Sequence, residues 1–111
     1  MPSNTYGCTI FAGEYAEGYA VWIDYNDDGF FDNNTERVGY SNGQIQGSGD
    51  PNVIGDSATF PVVMSCTPPV GPHRLRVRAM YGVNGINVTP CGPNNWGETE
   101  DYIKNDQIKN V

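Results

Sequence analysis

The chain has 111 residues, of which 13 are acidic and 6 are basic, and its formal net charge is −7. This length supports one domain with a modest core, and the negative charge argues against nucleic acid as a partner. The 14 glycines and 8 prolines are typical of turn-rich β proteins, so we expect a single all-β domain over residues 1–111.

The chain contains no apolar run of the roughly 20 residues needed to span a bilayer, so we expect no direct membrane insertion. Met1 to Thr5 lack the features of a signal peptide, which suggests a mature or excised segment. Cys8, Cys66 and Cys91 are widely spaced and lack the pattern of a zinc site. Such cysteines are more typical of disulfides in an oxidising, extracellular compartment.

The first predicted strand covers residues 18–25, where side chains alternate between two faces. One face carries Tyr19, Val21, Ile23 and Tyr25, and the other carries Ala20, Trp22 and Asp24. This strand leads directly into an acidic loop.

Oxygen-bearing side chains recur in this loop at the spacing of a calcium-binding loop. The predicted ligands are the side chains of Asp24, Asn26, Asp28 and Asp32 and the backbone carbonyl of Phe30. Gly29 permits the tight turn round the ion, but Thr35 occupies the position of the usual bidentate glutamate and Glu36 follows one place later. The final ligand is therefore Glu36 or a carboxylate from elsewhere in the chain.

Hard oxygen ligands without His or Cys favour Ca²⁺ over zinc or copper, and a flexible loop suits Ca²⁺ better than Mg²⁺. The alternative is a turn that binds nothing, because Asn and Asp favour turns through local hydrogen bonds alone. The carboxylates of Asp24, Asp27, Asp28 and Asp32 repel one another without a cation or solvent to offset their charge. We therefore expect a calcium ion.

Three further strands are predicted downstream. Arg37 to Tyr40 forms a short strand, and Ala58 to Met64 forms a longer one in which Pro61 indicates an edge position. In residues 74–81, apolar side chains face inward and three arginines face outward. Two of these arginines, Arg76 and Arg78, are candidate ligand contacts, although a solvated or acid-paired face is the usual role of such a row.

Two connections have distinct chemistry. Residues 66–72 contain three prolines, which lack the amide hydrogen of a central strand and indicate a rigid link. Asn84-Gly85 separates two apolar stretches and is the dipeptide favoured in a two-residue hairpin turn, so we expect a hairpin there.

Three motifs in order resemble those of the GEVED family, modules found in secreted and surface proteins of bacteria. Residues 21–32 resemble its strand and acidic loop, and residues 73–78 resemble its arginine strand. Residues 97–102, Gly-Glu-Thr-Glu-Asp-Tyr after Cys91-Gly92, resemble its naming signature, with Thr99 in place of the usual Val. The resemblance spans residues 18–102 and implies a non-catalytic antiparallel β-sandwich, immunoglobulin-like or jelly-roll-like.

The resemblance implies further features. The signature lies near the acidic loop in the family, so Glu98, Glu100 or Asp101 is expected to supply the missing calcium ligand, unless these residues form only a solvated turn. A disulfide from Cys8 to Cys91 is implied, with Cys66 as the odd thiol.

Family members also carry more strands before the Trp-containing strand than this chain does. Residues 1–17 and 103–111 are therefore possible edge or exchanged strands, and neighbouring copies or domains are the expected partners. The alternative is an excised domain whose missing strands lie upstream in a longer polypeptide.

The sequence offers no clear catalytic constellation, and we expect no enzyme. His73 is the single histidine, and we expect it to lie on the surface. The predicted function is an extracellular, calcium-stabilised structural or adhesive module of a bacterial surface protein or fibre.

The alternative function is a carbohydrate-binding module appended to a secreted hydrolase, because exposed aromatic side chains stack on sugar rings. The candidate stacking residues are Trp22, Trp96, Tyr15 and Tyr40. Core or edge packing is the competing role for each, and is favoured for Trp22.

Overall fold

The computed structural model describes residues 4–64, 72–92 and 97–105. Six β-strands and one short 3₁₀ helix form within these ranges. The strands are β1 (Asn4–Phe11), β2 (Glu17–Ile23), β3 (Arg37–Tyr40), β4 (Ser57–Met64), β5 (Pro72–Tyr81) and β6 (Glu98–Asn105).

The strands form two antiparallel sheets. One sheet contains β1 and β4, and the other has the order β3-β2-β5-β6. β2 pairs with β5 so that Val21 lies opposite Val77, and β5 pairs with β6 so that Arg76 lies opposite Asp101. The all-β expectation is therefore confirmed, with two antiparallel sheets of unequal size packed against each other.

The main core lies between the two sheets and follows from the alternation of β2. Tyr19, Val21 and Ile23 point from β2 toward the smaller sheet and pack with Phe60 and Val62 of β4. The predicted inward face of the arginine strand is confirmed for Leu75, Val77 and Ala79, which pack against this core, whereas Tyr81 at the end of the strand is exposed.

A second apolar cluster covers the opposite face of the larger sheet. Ala20 and Trp22 project from β2 and pack with Phe31, which follows the acidic loop, and with Val88. Every residue of β2 is therefore buried, although only one of its faces meets the second sheet. Burial on both faces holds the strand that leads into the acidic loop.

Gly39 shows how closely the two sheets approach at their edge. A Cβ atom at Gly39 would lie 2.7 Å from the carbonyl oxygen of Pro61, closer than real Cβ contacts allow. Pro61 lies in β4, which pairs only with β1 among the described residues. The edge position predicted from Pro61 is therefore confirmed.

The predicted hairpin at Asn84-Gly85 is wrong. Asn84 is extended, with φ −69° and ψ 150°, and a 3₁₀ helix covers Gly85–Asn87. The positive φ lies earlier, at Gly82 (71°). Gly85 donates its N–H to the carbonyl of Gly43 at 2.9 Å, so a contact with a distant loop replaces the local hairpin ladder.

The N-terminal segment belongs to the chain's own sandwich. β1 pairs with β4 from Asn4 opposite Met64 to Phe11 opposite Ser57. Residues 103–105 complete β6, while the rest of the predicted edge segment, 106–111, lies outside the described residues. None of the described residues forms a helix of the length and apolarity that a membrane crossing requires.

Candidate metal centre in the loop after β2

The acidic loop is wound by short-range hydrogen bonds from backbone amides to side-chain oxygens. The Asp28 N–H donates to Asn26 Oδ1 at 3.3 Å, and the Phe30 N–H donates to Asp28 Oδ1 at 2.9 Å. Each bond spans two residues, which is the Asx-turn geometry that Asn and Asp favour. Asp27 adopts a left-handed φ of 55° and Gly29 a φ of 85°. These conformations fold the loop back over its own start.

Asp24 lies at the centre of this turn and is only 4% exposed. Its two carboxylate oxygens accept the N–H groups of Asp28 at 3.3 Å and Gly29 at 3.0 Å. The Asp24 N–H donates to the carbonyl of Arg74 at 2.9 Å, which anchors the loop to β5. The position of Asp24 is therefore fixed by the sheet and by its own loop.

Glu36 connects the two ends of the loop and is equally buried, at 4% exposure. Its carboxylate accepts the Tyr25 N–H at 2.9 Å and the Asp32 N–H at 2.8 Å. A turn over residues 33–36, in which the Glu36 N–H donates to the carbonyl of Asp32 at 2.9 Å, directs this side chain back to the loop.

Carboxylate oxygens of Asp24, Asp28 and Glu36 all lie within 4.8 Å of one another. This group suits a hard cation, because it offers only oxygen donors and a carboxylate retains acceptor capacity after receiving one N–H bond on each oxygen. Two of the three carboxylates are buried, which is costly without an opposing charge.

The remaining predicted loop ligands lie around this group. Asn26 and Phe30 are exposed, and Asn26 Oδ1 is engaged by the Asp28 amide. Asp32 Oδ1 accepts the N–H groups of Asn34 at 2.7 Å and Thr35 at 3.1 Å, so this carboxylate caps the turn that positions Glu36.

The signature carboxylates do not join the group. Glu98 lies opposite Ala79, at the far end of β5 from the Arg74 carbonyl that anchors the loop, and Glu100 lies opposite Val77. Asp101 forms an ion pair with Arg76, at 2.7 Å from Nε. The signature carboxylates therefore lie outside this group, and Glu36 is its third member, one residue beyond the loop formula.

His73 was expected on the surface, but it is 1% exposed. Its Nδ1 lies 3.1 Å from Asp27 Oδ1, and its ring packs edge-on against Tyr25 with centroids 6.0 Å apart. Through these contacts of His73, β5 packs against the acidic loop. His73 lies near the start of β5, and the antiparallel pairing of β5 with β2 brings it close to the end of β2, where the acidic loop begins.

The two candidate ligand arginines both make hydrogen bonds within the chain. Arg76 donates to both oxygens of Asp101 at 2.7 and 2.9 Å and lies over the Phe31 ring at 4.8 Å. This hydrogen bonding raises the pKa of Arg76 and lowers the pKa of Asp101. Arg78 is buried, which lowers its pKa, and it donates to the carbonyls of Thr89 and Gly92.

Trp22 cannot stack on a sugar ring, because it is completely buried and donates its indole N–H to Asn33 Oδ1 at 3.0 Å. Tyr15 is partly exposed and packs edge-on against Tyr81. Tyr40 is also exposed, with the Arg37 guanidinium 4.6 Å from its ring centroid. Trp96 lies outside the described residues.

The predicted disulfide between Cys8 and Cys91 is absent, and both thiols are free. Cys8 packs against the core between the sheets, and this burial raises its pKa. Cys91 lies on the other face of the larger sheet, with its sulfur 3.8 Å from Arg76 Nη1. The sheet separates the two thiols, and Cys66 lies outside the described residues.

The family model of the GEVED domain matches residues 18–105, a range that includes the acidic loop, the arginine strand and the signature. No curated protein and no solved structure matches the chain.

Proposed function

Because the chain belongs to the GEVED domain family, we propose that it is a non-catalytic, calcium-stabilised module of a bacterial surface protein or fibre. Its role in this proposal is structural or adhesive, and its location is extracellular. Neighbouring domains or copies are its partners. The carboxylates of Asp24, Asp28 and Glu36 carry the calcium part of the proposal.

The arrangement supports a structural role for the ion. Glu36 holds the amides at both ends of the loop, and Asp24 is bonded to the backbone of β5. An ion bound between these carboxylates joins β2, β3 and β5 at one end of the sandwich. Ca²⁺ supplies only positive charge here, and the chain's own residues fix the geometry.

Calcium is expected to stabilise the folded chain measurably. Linkage gives about 2.7 kcal/mol when free Ca²⁺ is about one hundred times its dissociation constant. The test is thermal melting in excess chelator and in millimolar CaCl₂, with MgCl₂ as a parallel condition. Equal midpoints in chelator and calcium would refute the calcium site.

A substitution locates the effect. Asp28 is exposed and contributes to no core. In chelator, Asp28→Ala should therefore change the free energy of unfolding by less than about 1 kcal/mol, and it should remove most of the calcium-dependent rise in the melting midpoint. The matched control is Asp56→Ala, which removes an exposed carboxylate outside the loop. A calcium shift that both variants retain in full would place the ion elsewhere.

A carbohydrate-binding role is the second candidate, and it rests on the exposed ring of Tyr40. This ring lines a surface cavity with Arg37 and Asn42, so polar groups flank an aromatic face. Such a surface is suited to sugar recognition. A glycan array with wild type and Tyr40→Ala tests it, and an array without Tyr40-dependent signal leaves the structural role.

A further inference from the structure

A cavity of about 700 Å³ opens at the end of the sandwich opposite the acidic loop. It is lined by residues of β1, by Glu17 and Tyr19 at the start of β2, and by the signature strand β6. Asp24 follows the other end of β2, so the cavity is separate from the candidate metal centre.

The pattern of lining residues shows how the cavity is built. From β1 it takes the consecutive residues Cys8 to Phe11, and both orientations of an alternating strand can border one space only along the strand's edge. From β6 it takes Glu98, Glu100 and Tyr102, which share the inward face with Val77 and Ala79 of β5. The cavity therefore lies beside the edge of β1 and over the inner face of β6.

That position is the place of a third strand in the smaller sheet. Within the described residues β1 pairs only with β4, so the edge of β1 that borders the cavity has no strand partner. A strand added there extends the two-stranded sheet and covers the inner face of β6. Its backbone satisfies the open edge, and its alternate side chains point toward Glu98 and Glu100.

The cavity has a one-sided charge. Four glutamates line it, and no lysine or arginine among the described residues does; the four are Glu14, Glu17, Glu98 and Glu100. The arginines of β5 alternate with the inward residues and lie on the opposite face of the sheet.

Glu17 provides a second, independent observation. The residue is 8% exposed, and its Oε2 is buried without a hydrogen-bond partner. Its Oε1 receives only a long bond from the Tyr19 hydroxyl, at 3.4 Å. A buried carboxylate oxygen of this kind is normally paired, so its state indicates a missing cationic or donor group.

A bare metal ion is not suited to this acidic cavity. Within the described residues, the glutamates of the cavity do not converge as Asp24, Asp28 and Glu36 do, so no three of them can enclose one ion. Exposed apolar side chains also border the space, among them Phe11, Ile54 and Tyr102. Separated carboxylates beside aromatic rings suit extended organic cations.

We propose that this cavity receives an extended strand of a partner polypeptide that carries lysine or arginine at alternating positions. The strand pairs with the open edge of β1, and its basic side chains contact Glu17, Glu98 and Glu100. The chain's net charge of −7 makes a basic partner more favourable than an identical acidic copy. This inference rests on the proposed function as a module within a larger surface assembly.

The probe is a terminally blocked heptapeptide, Thr-Lys-Val-Lys-Val-Lys-Thr, titrated into the full chain and followed by calorimetry and amide NMR. We expect saturable binding with shifts concentrated at residues 8–12. The double variant Glu98→Gln/Glu100→Gln should bind about tenfold more weakly, as expected for two partly exposed ion pairs. The matched control, Asp50→Asn/Asp56→Asn, removes the same charge at exposed positions and should bind as wild type does.

Two further probes separate strand addition from simple cation binding. A peptide with alternate backbone amides methylated keeps the lysines but cannot pair with β1, so it should not bind. Cadaverine should bind far more weakly than the peptide. Equal binding of the methylated peptide or of cadaverine, equal weakening in both double variants, or no peptide binding at millimolar concentration would each overturn the proposal.

These outcomes are independent of the calcium experiment. Loss of peptide binding beside an intact calcium shift refutes only the strand site. Peptide binding beside calcium-independent melting refutes only the metal centre.

Discussion

Arg78 shows how a residue that looks like a solvent-facing charge becomes part of the interior. It alternates outward from the main core, yet the segment containing Thr89 and Gly92 folds over it. Its guanidinium donates to two carbonyls of that segment, while Nε remains buried without a partner. Burial lowers the pKa of Arg78. The two hydrogen bonds to carbonyls partly offset the energetic cost of burying the guanidinium.

We expect Arg78→Lys to destabilise the chain by about 1–2 kcal/mol, because a lysine ammonium cannot span both carbonyls with the planar geometry of a guanidinium. The control is Arg74→Lys, an exposed position on the same strand, which should change the free energy of unfolding by less than about 0.5 kcal/mol. Urea denaturation of the three proteins measures the difference. Equal midpoints for both variants would mean that Arg78 makes no specific contribution.

Some features of the candidate site were readable from single residues, and others required the fold. The spacing of Asp24 and Asp28 indicated a cation loop, and the structure brings both into one group with Glu36. The calcium-loop formula did not predict that Glu36 joins this group, because the formula expects a glutamate one position earlier. A turn over residues 33–36 directs the Glu36 carboxylate toward the loop. The burial of His73 depends on the pairing of β5 with β2, which alternation within one strand does not reveal.

At the scale of elements, alternation and proline were the reliable signals. β2 and β5 alternate cleanly and form as predicted, and Pro61 identified the edge character of β4. The hairpin failed because Asn84-Gly85 is a local preference, and the contact of Gly85 with Gly43 overrides it. Local turn chemistry competes with tertiary contacts, whereas the strand pattern agrees with them.

The turn after β5 gives a direct test of this conclusion. Gly82 has φ 71°, and a Cβ atom added there would meet no other atom within 4 Å, so Gly82→Ala carries only the backbone penalty of about 1 kcal/mol. Asn84 is extended, so Asn84→Ala should be nearly neutral. Thermal melting of both variants measures the ranking. A larger loss for Asn84→Ala would indicate the hairpin turn instead of the 3₁₀ helix.

At the scale of the whole molecule, the two sheets contain different numbers of strands, and this difference leaves part of the larger sheet uncovered. Four strands face two, so the inner face of β6 borders a cavity where a wider partner sheet would cover it. Acidic groups lie at both ends of β2: the candidate metal centre follows its end, and Glu17 marks its start. The sequence indicated the loop carboxylates but neither Glu17 nor the strand order that separates the two acidic groups, because pairing partners and burial are set by long-range packing.

The destabilisation caused by burying the ionised carboxylate of Glu17 can be measured in the isolated chain. Burial raises the pKa of Glu17, the hydrogen bond from Tyr19 opposes that shift, and the charge of Glu98 adds to it. A carboxyl whose pKa is higher in the folded state destabilises the fold when ionised. Its contribution is therefore favourable below the unfolded pKa, near 4.3, and is lost as pH rises through the folded pKa.

Glu17→Gln keeps the shape and removes the charge, so it should raise the free energy of unfolding at pH 7 by about 1 kcal/mol. The gain should shrink as pH falls through the folded pKa and vanish below about pH 4, where wild type is also neutral at this position. Glu14→Gln removes the same charge from the same cavity at a less buried position, and it should show little of this gain. Urea denaturation from pH 3 to pH 8 gives the three curves. A gain that persists at pH 3, or one that Glu14→Gln matches in full, would assign the effect to packing or to net charge, and the buried carboxylate would no longer explain why the cavity favours a cation.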